Sequence, residues 1–325
     1  MRIPVLVATV LVTATAVLLP VTPAAASGNG EWAVTPTPAK NPGPTPRLYF
    51  FLDASAGQRV LESVRVTNLT TKVKTFLVYG ADAYNTKQNG GFAIRTRADE
   101  QTDLGAWVNN PVTTVEVPAR TSADIPFTIT VPANATPGDH VGGIVAMEAE
   151  ASGSAEAEGA TVRIQRAVAA RVYLRVAGTV VPGLNVPELS VTIKAPLFPV
   201  GTRGTLDYRV ANIGNVHLVP TGRVTVTGLF GHRIGVKGTL PTSDLIPGAD
   251  GTFTATTSGI WPFDVVTTRV SVSADGGVYA VRSKRSVVIS WTGFAAFVLV
   301  GLLVWWRLRR LVKSRELKPR GLAGV

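Results

Sequence analysis

The chain has 325 residues, no cysteine and a formal net charge of +11, with 46% hydrophobic and 16% charged residues. The basic excess lies at the chain ends: residues 27–281 hold 21 basic against 20 acidic groups, which excludes a nucleic-acid-binding face. Without cysteine there is no lipid-modified N-terminus, disulfide framework, thiol catalysis or Cys-ligated metal, and no cofactor is implied.

In chain order, residues 1–26 begin with Arg2, run apolar from Val5 to Leu19 and close on Ala24, Ala25 and Ala26, which predicts a cleaved secretory signal. Residues 27–46 are crowded with Pro and Gly and predict an extended linker that only spaces. From Arg47 onward, apolar residues recur at every second position in short runs bounded by Gly, Pro, Asn and Asp. Ile125, Phe127, Ile129 and Val131 form one such face, Val172, Leu174 and Val176 a second, and Leu206, Tyr208 and Val210 a third. This period and the lack of any helix-length apolar stripe predict an all-β ectodomain of half-buried antiparallel strands.

The two halves echo each other. Each has a strand ending in Asn (Asn68, Asn212), a later turn-and-strand segment, and a Gly-containing turn into an outer strand. The expected fold is two tandem immunoglobulin-like β-sandwich domains, 47–180 and 181–281, divided where Gly178, Pro182, Gly183 and Pro187 break the pattern. The acidic stretch 151–160 is expected as a flexible hairpin loop. Residues 286–306 are 21 uncharged residues and predict a C-terminal transmembrane helix of about 31 Å. Seven basic residues in the tail 307–325 put the C-terminus in the cytoplasm and the ectodomain outside a single-pass cell membrane anchor. Cysteine-free export, with Ala, Gly and Arg in excess, suits the envelope of a GC-rich, Gram-positive, actinobacterial cell.

Chemistry-bearing motifs are few. His140, His217 and His232 stand apart without metal-ligand spacing, so no metal site is expected and solvent-facing or turn roles are. No nucleophile elbow or phosphate-binding loop occurs, so the chain reads as a non-enzyme, with a wall hydrolase as the most distant alternative. The Asn-x-Thr triplets at Asn68 and Asn134 read as turns. Arg163, Arg166, Arg171 and Arg175 read either as a charged solvent face or as a stripe for anionic wall polymers. Two polar segments stand out. Residues 82–92 carry the turn signal Asn89-Gly90, and Pro137–Gly143 enters a strand with glycines inside it, where close backbone approach or a bulge is expected.

At these residues the chain resembles the bacterial WxL-interacting surface-protein family. The likeness rests on Tyr49-Phe50-Phe51-Leu52 with Gly57-Gln58 and Val64-x-Val66-x-Asn68, on Ala83-x-Asn85 with Asn89-Gly90-Gly91, and on Pro137-Gly138 with Gly142-Gly143-Ile144. It implies a first domain that binds peptidoglycan or another cell-wall polymer. The second domain matches in architecture only, and implies a spacer or a module that docks another exported surface protein. The candidate ligand contacts are Asn85, Lys87, Gln88, Asn89 and Gly90 in one segment and Pro137, Gly138, Asp139 and His140 in the other. The alternative is a structural or assembly factor that docks another exported protein, by strand addition at a sheet edge.

Overall fold

Alternating side chains fix the layers. In the computed structural model the expected apolar faces are all turned inward, and Ile129, Val172, Leu206 and Tyr208 have essentially no surface left to water. Burying each such side chain contributes about 1.5–3 kcal/mol. The structure describes residues 29–316, apart from 40–45, 110–112, 152, 158–159, 195–201, 239–240, 242 and 262, so the predicted signal lies outside the described residues.

The first domain begins with β1 (Trp32–Pro36), β2 (Phe50–Ala54), β3 (Arg59–Asn68), β4 (Lys74–Asn85) and β5 (Phe92–Ile94). A one-turn helix α1 (Leu104–Trp107) precedes β6 (Val108–Asn109), β7 (Thr113–Val117), β8 (Ser122–Thr130) and β9 (Gly138–Glu148). A two-stranded hairpin of β10 (Gly153–Ala157) and β11 (Ala160–Ile164) stands where a flexible loop is expected, and β12 (Ala167–Val176) closes the domain. One layer has the order β1-β3-β8-β6; the other runs β2-β12-β9-β4-β5, with β7 also on β4. Trp32 packs on Phe76, and Phe50 packs edge-on to Phe127, at the centre of the sandwich.

The linker expected over 27–46 is corrected at its first part. Trp32–Pro36 is a strand, paired antiparallel with β3, and the Trp32 and Val34 side chains are wholly buried. Glu31, Arg166, Glu148 and Lys74 form an ion network that pins this strand, with both cations about 5.3 Å and 5.4 Å from the Trp32 ring. Hydrogen bonds from Arg166 and Lys74 lower the Glu31 pKa to about 2.

The second domain follows after Ala177–Gly183, where the boundary is expected. It holds β13 (Leu184–Lys194), β14 (Thr202–Asn212), β15 (Thr221–Thr227), β16 (Arg233–Gly238), β17 (Asp250–Ile260), β18 (Phe263–Ser273) and β19 (Tyr279–Ile289). The strand order is β13-β14-β17-β16-β15-β18-β19. The echo between halves is structural: Asn68 and Asn212, both buried, each donate Nδ2 to the carbonyl four residues on (Lys72, Val216) and accept from the amide two residues on (Thr70, Gly214).

The last helix, α2 (Trp291–Glu316), is the one described helix long and apolar enough to cross a membrane, over Thr292–Arg310. It begins later than the predicted anchor at 286–306, because Ser286–Ile289 complete β19 against Phe263–Val266. An apolar run that satisfies a bilayer also satisfies a strand, and pairing decides between them.

Candidate functional site

Both polar segments singled out in the sequence lie at the seam between the domains. Asn85, at the end of β4, donates Nδ2 to the Gly90 carbonyl at 2.8 Å and across the seam to the Asp244 carbonyl at 2.7 Å, and its Oδ1 accepts the Ile246 amide at 3.0 Å. Asn89 and Gly90, both at positive φ, form the turn that their sequence predicts. That turn pairs with β17: Asn89 N–H donates to Thr252 O, and Thr252 N–H donates to Lys87 O, each at 2.9 Å. Gly90 is in contact with Gly251, where a Cβ would come within 2.6 Å of the Gly90 backbone. Lys87 and Gln88 keep exposed side chains.

The second segment clasps the second domain as well. Gly138 (φ 124) lies so close to Asn215 that a Cβ would meet its carbonyl oxygen at 2.1 Å. Asp139 donates its N–H to that oxygen at 2.7 Å, and Asn215 Nδ2 donates to the Pro137 carbonyl at 2.9 Å. The buried Asp139 carboxylate accepts Arg175 Nε and Nη2 at 2.6 and 2.9 Å, and His217 N and Nδ1 at 2.9 and 2.6 Å. Burial alone would raise its pKa, but the hydrogen bonds from His217 and Arg175 outweigh it and hold the carboxyl well below the usual range. Gly142 fulfils the expected close approach, its Cα facing Ala81 O and Leu104, and the β9 ladders carry no bulge.

Solvent-facing or turn histidines are expected; all three are half-buried and paired, and His232 stands in the β15–β16 turn. His140 joins Asp103 at 2.5 Å and stacks against Trp107; His217 joins Asp139 and packs on Tyr173; His232 lies 3.3 Å from Asp264 and stacks on Trp261. Burial opposes protonation of His140, but hydrogen bonds to Asp103 and the Thr136 carbonyl raise its pKa. Among the described residues no Ser or Thr hydroxyl bonds to these rings, and no three His, Asp or Glu gather as a metal site. The arginines form neither a plain solvent face nor a continuous stripe: Arg166 and Arg175 are paired with carboxylates and Arg171 stacks on rings, while the Arg163 side chain lies outside the described residues.

Beside the seam lies the feature that sequence reading misses. Tyr173, on the nominally polar side of β12, is buried in a cluster with Ala83 and Val141 against which Ile246 of the second domain packs, and its hydroxyl donates to Asp244 Oδ2. Burial and the Asp244 carboxylate push this phenol above its ordinary pKa. Phe51, 66% exposed, stacks on the Tyr173 ring at 5.1 Å and 12°. Tyr49 and Phe92 flank it, and the Arg171 guanidinium lies 4.0 Å over Phe92 and 5.4 Å over Tyr49. Together with His217, Val219, Ser243 and Asp244 they line a cleft of about 460 Å³. Across Phe92 and Arg171 it continues into a groove of about 580 Å³ over Tyr79, Ile94, Val145, Met147 and Ala169 on the outer face of the first-domain sheet. Asp244 Oδ1 has no donor among the described residues. The one sequence signal is Tyr49-Phe50-Phe51: consecutive aromatics on a strand point to opposite faces, so one must leave the core.

No family model matches the chain, and no curated protein matches it. Among solved structures, the CupB2 chaperone of Pseudomonas aeruginosa overlaps with a TM-score of 0.33 at 12% identity, over 73% of this chain and 96% of that one. The class 5 fimbriae chaperone CfaA gives 0.34 at 10%, over 79% and 99%. The CsuC–CsuE chaperone–tip adhesion subunit pre-assembly complex of Acinetobacter baumannii gives 0.34 at 8%, over 74% and 95%. Overlaps this shallow carry no weight for activity or partner.

Proposed function

We propose that the chain is a non-enzymatic, single-pass envelope protein, anchored by α2, whose ectodomain docks an extended segment of another exported protein in the aromatic cleft at the seam. The observation that carries this reading is the exposed Phe51, stacked on Tyr173 beside Arg171 and two further rings, in a cleft lined by both domains. Aromatic and arginine side chains in a partly desolvated patch are the residues that dominate protein interfaces. Among the described residues β2 pairs on one side only, with β12, so a partner strand added along it would lay side chains against Phe51.

The test uses the full chain in its own envelope. A photoreactive amino acid at position 51 is expected to cross-link one exported protein, while the same group at the exposed Leu61 does not, and Arg171→Ala weakens the cross-link. Equal cross-linking from both positions, or none from 51, overturns the reading.

A second reading keeps peptidoglycan as the ligand, in line with the family resemblance. Lys87 and Gln88 support it, since their side chains are exposed on the seam turn and carry no hydrogen bond among the described residues. Co-sedimentation of the full chain in detergent with wall stripped of anionic polymers tests it. Loss of sedimentation in Lys87→Ala/Gln88→Ala supports it, and no sedimentation of the parent chain removes it.

A further inference from the structure

The end of the second domain nearest α2 presents apolar side chains that its own fold does not cover. Phe263 stands opposite Ile289, two residues before α2 begins, and its ring meets that of Phe294 in the first turn of the helix at 6.2 Å. The two turns at this end, β15–β16 and β17–β18, therefore lie at the height where α2 would enter a bilayer. They expose Leu229, Phe230, Trp261 and Phe263. Phe230 is 92% exposed with φ 59, a left-handed conformation that bulky residues avoid. Nothing among the described residues compensates for a phenylalanine held there in water.

One carboxylate locks the two turns together. Buried Asp264 accepts Leu229 N–H at 2.6 Å and Trp261 N–H at 3.3 Å, and His232, stacked on Trp261 with centroids 3.9 Å apart, lies against the same group. A Cβ at Gly228 would sit 2.0 Å from the His232 ring and 2.6 Å from both Asp264 oxygens, so the close packing requires glycine. Just above these turns, Arg233 and Arg285 are exposed and form no ion pair among the described residues.

We infer that these turns are a membrane foot: Leu229, Phe230, Trp261 and Phe263 seat in the boundary between headgroups and acyl chains of the outer leaflet, and the basic residues above meet lipid phosphates. The inference rests on the reading of α2 as an anchor. Aromatic rings and leucine favour this depth, and cations favour the anionic layer over it. Because α2 already confines the domain to the surface, seating the foot costs little further translational freedom.

The absence of cysteine makes the test direct, since Phe230→Cys, Leu229→Cys, Leu61→Cys and Val300→Cys each create one labelling site in the full chain. Each variant is labelled with the fluorophore NBD and reconstituted in phosphatidylcholine–phosphatidylglycerol vesicles. At 230 and 229 the emission is expected to be blue-shifted relative to 61, and quenched about twofold more by a headgroup-region nitroxide lipid than by a deep acyl-chain one. At 300 the order of the quenchers reverses. Water-like emission at both 229 and 230, with 300 buried, overturns the foot and leaves the anchor. A dry label at 230 indifferent to both lipids means that protein covers the tip, and overturns it too. A label at 300 in water removes the anchor reading itself.

Discussion

Asp139→Ala removes a carboxylate that takes four donors, two from Arg175 in its own domain and two from His217 across the seam. Hydrogen bonds to a charged group contribute about 1.5–3 kcal/mol each where they are buried. Arg175 is 45% exposed, so solvent screens its pair strongly, whereas the Asp139 side chain is 2% exposed. Allowing for that screening, the loss is about 3–4 kcal/mol, in the range for breaking a buried pair. Over a cooperative unit of two sandwiches this lowers Tm by roughly 10 °C. The pH dependence carries a sign. A carboxyl whose folded pKa is depressed contributes fully above its unfolded value of about 3.9, and the contribution is lost as pH falls below it. The gap between parent and variant should therefore be full at pH 7 and shrink in strong acid. Thermal melts of the full chain in detergent at pH 7 and pH 3 measure it, alongside the distance between spin labels at positions 61 and 223, which should broaden in the variant. An unchanged Tm and an unchanged distance, together with lost wall binding, would refute the clamp and restore Asp139 as a ligand contact.

Asn68→Ala and Asn212→Ala should each cost about 2–3 kcal/mol in denaturant titrations, because each orphans buried carbonyls and one amide; losses under about 0.5 kcal/mol would contradict that role. Gly142→Ala drives a Cβ to 2.5 Å from the Ala81 carbonyl and should destabilise by at least ~2 kcal/mol. Gly57→Ala, at φ 81 in open space, should cost only about 1 kcal/mol; equal losses at the two sites would mean that crowding is not the cause. Phe51→Ala should leave Tm within about 2 °C, since its ring is mostly exposed, while abolishing the cross-link to the exported partner from a photoreactive amino acid placed at Val219 of the same cleft. A melt shifted as far as that of Asp139→Ala would make Phe51 a structural residue.

Strand alternation was legible because half-buried sheets impose a period of two, and the faces of Ile125–Val131 and Leu206–Val210 turned inward as read. The Asn68–Asn212 echo was legible because both halves need the same cap at the same strand end. Trp32–Pro36 was hidden by the Pro and Gly around it and by being too short to show a period. The seam was hidden for another reason: Pro137 and Asp139 meet partners 78 residues away, and nothing local records such a meeting. Polar loops rich in Asn and Gly signal a need for hydrogen-bond partners, but not whether a ligand or the neighbouring domain supplies them. Tyr173 illustrates the point, since it alternates onto a face that reads as solvent until Ile246 and Asp244 close over it.

β19 has eleven residues and ends two short of α2, while the turn before it lies by Pro182 at the seam. At about 3.3 Å per residue it sets the start of α2 roughly 36 Å from the seam, and with α2 as the proposed anchor the second domain becomes a strut of that length. Since the seam is clasped at Asn85, Asn89, Asp139 and Asn215, that anchor would hold the aromatic cleft at a set altitude above the lipid instead of letting it sweep through a range of heights. In the proposed docking role, a partner tethered to the same membrane would need a tether of at least that length, so the strut would act as a ruler for its reach.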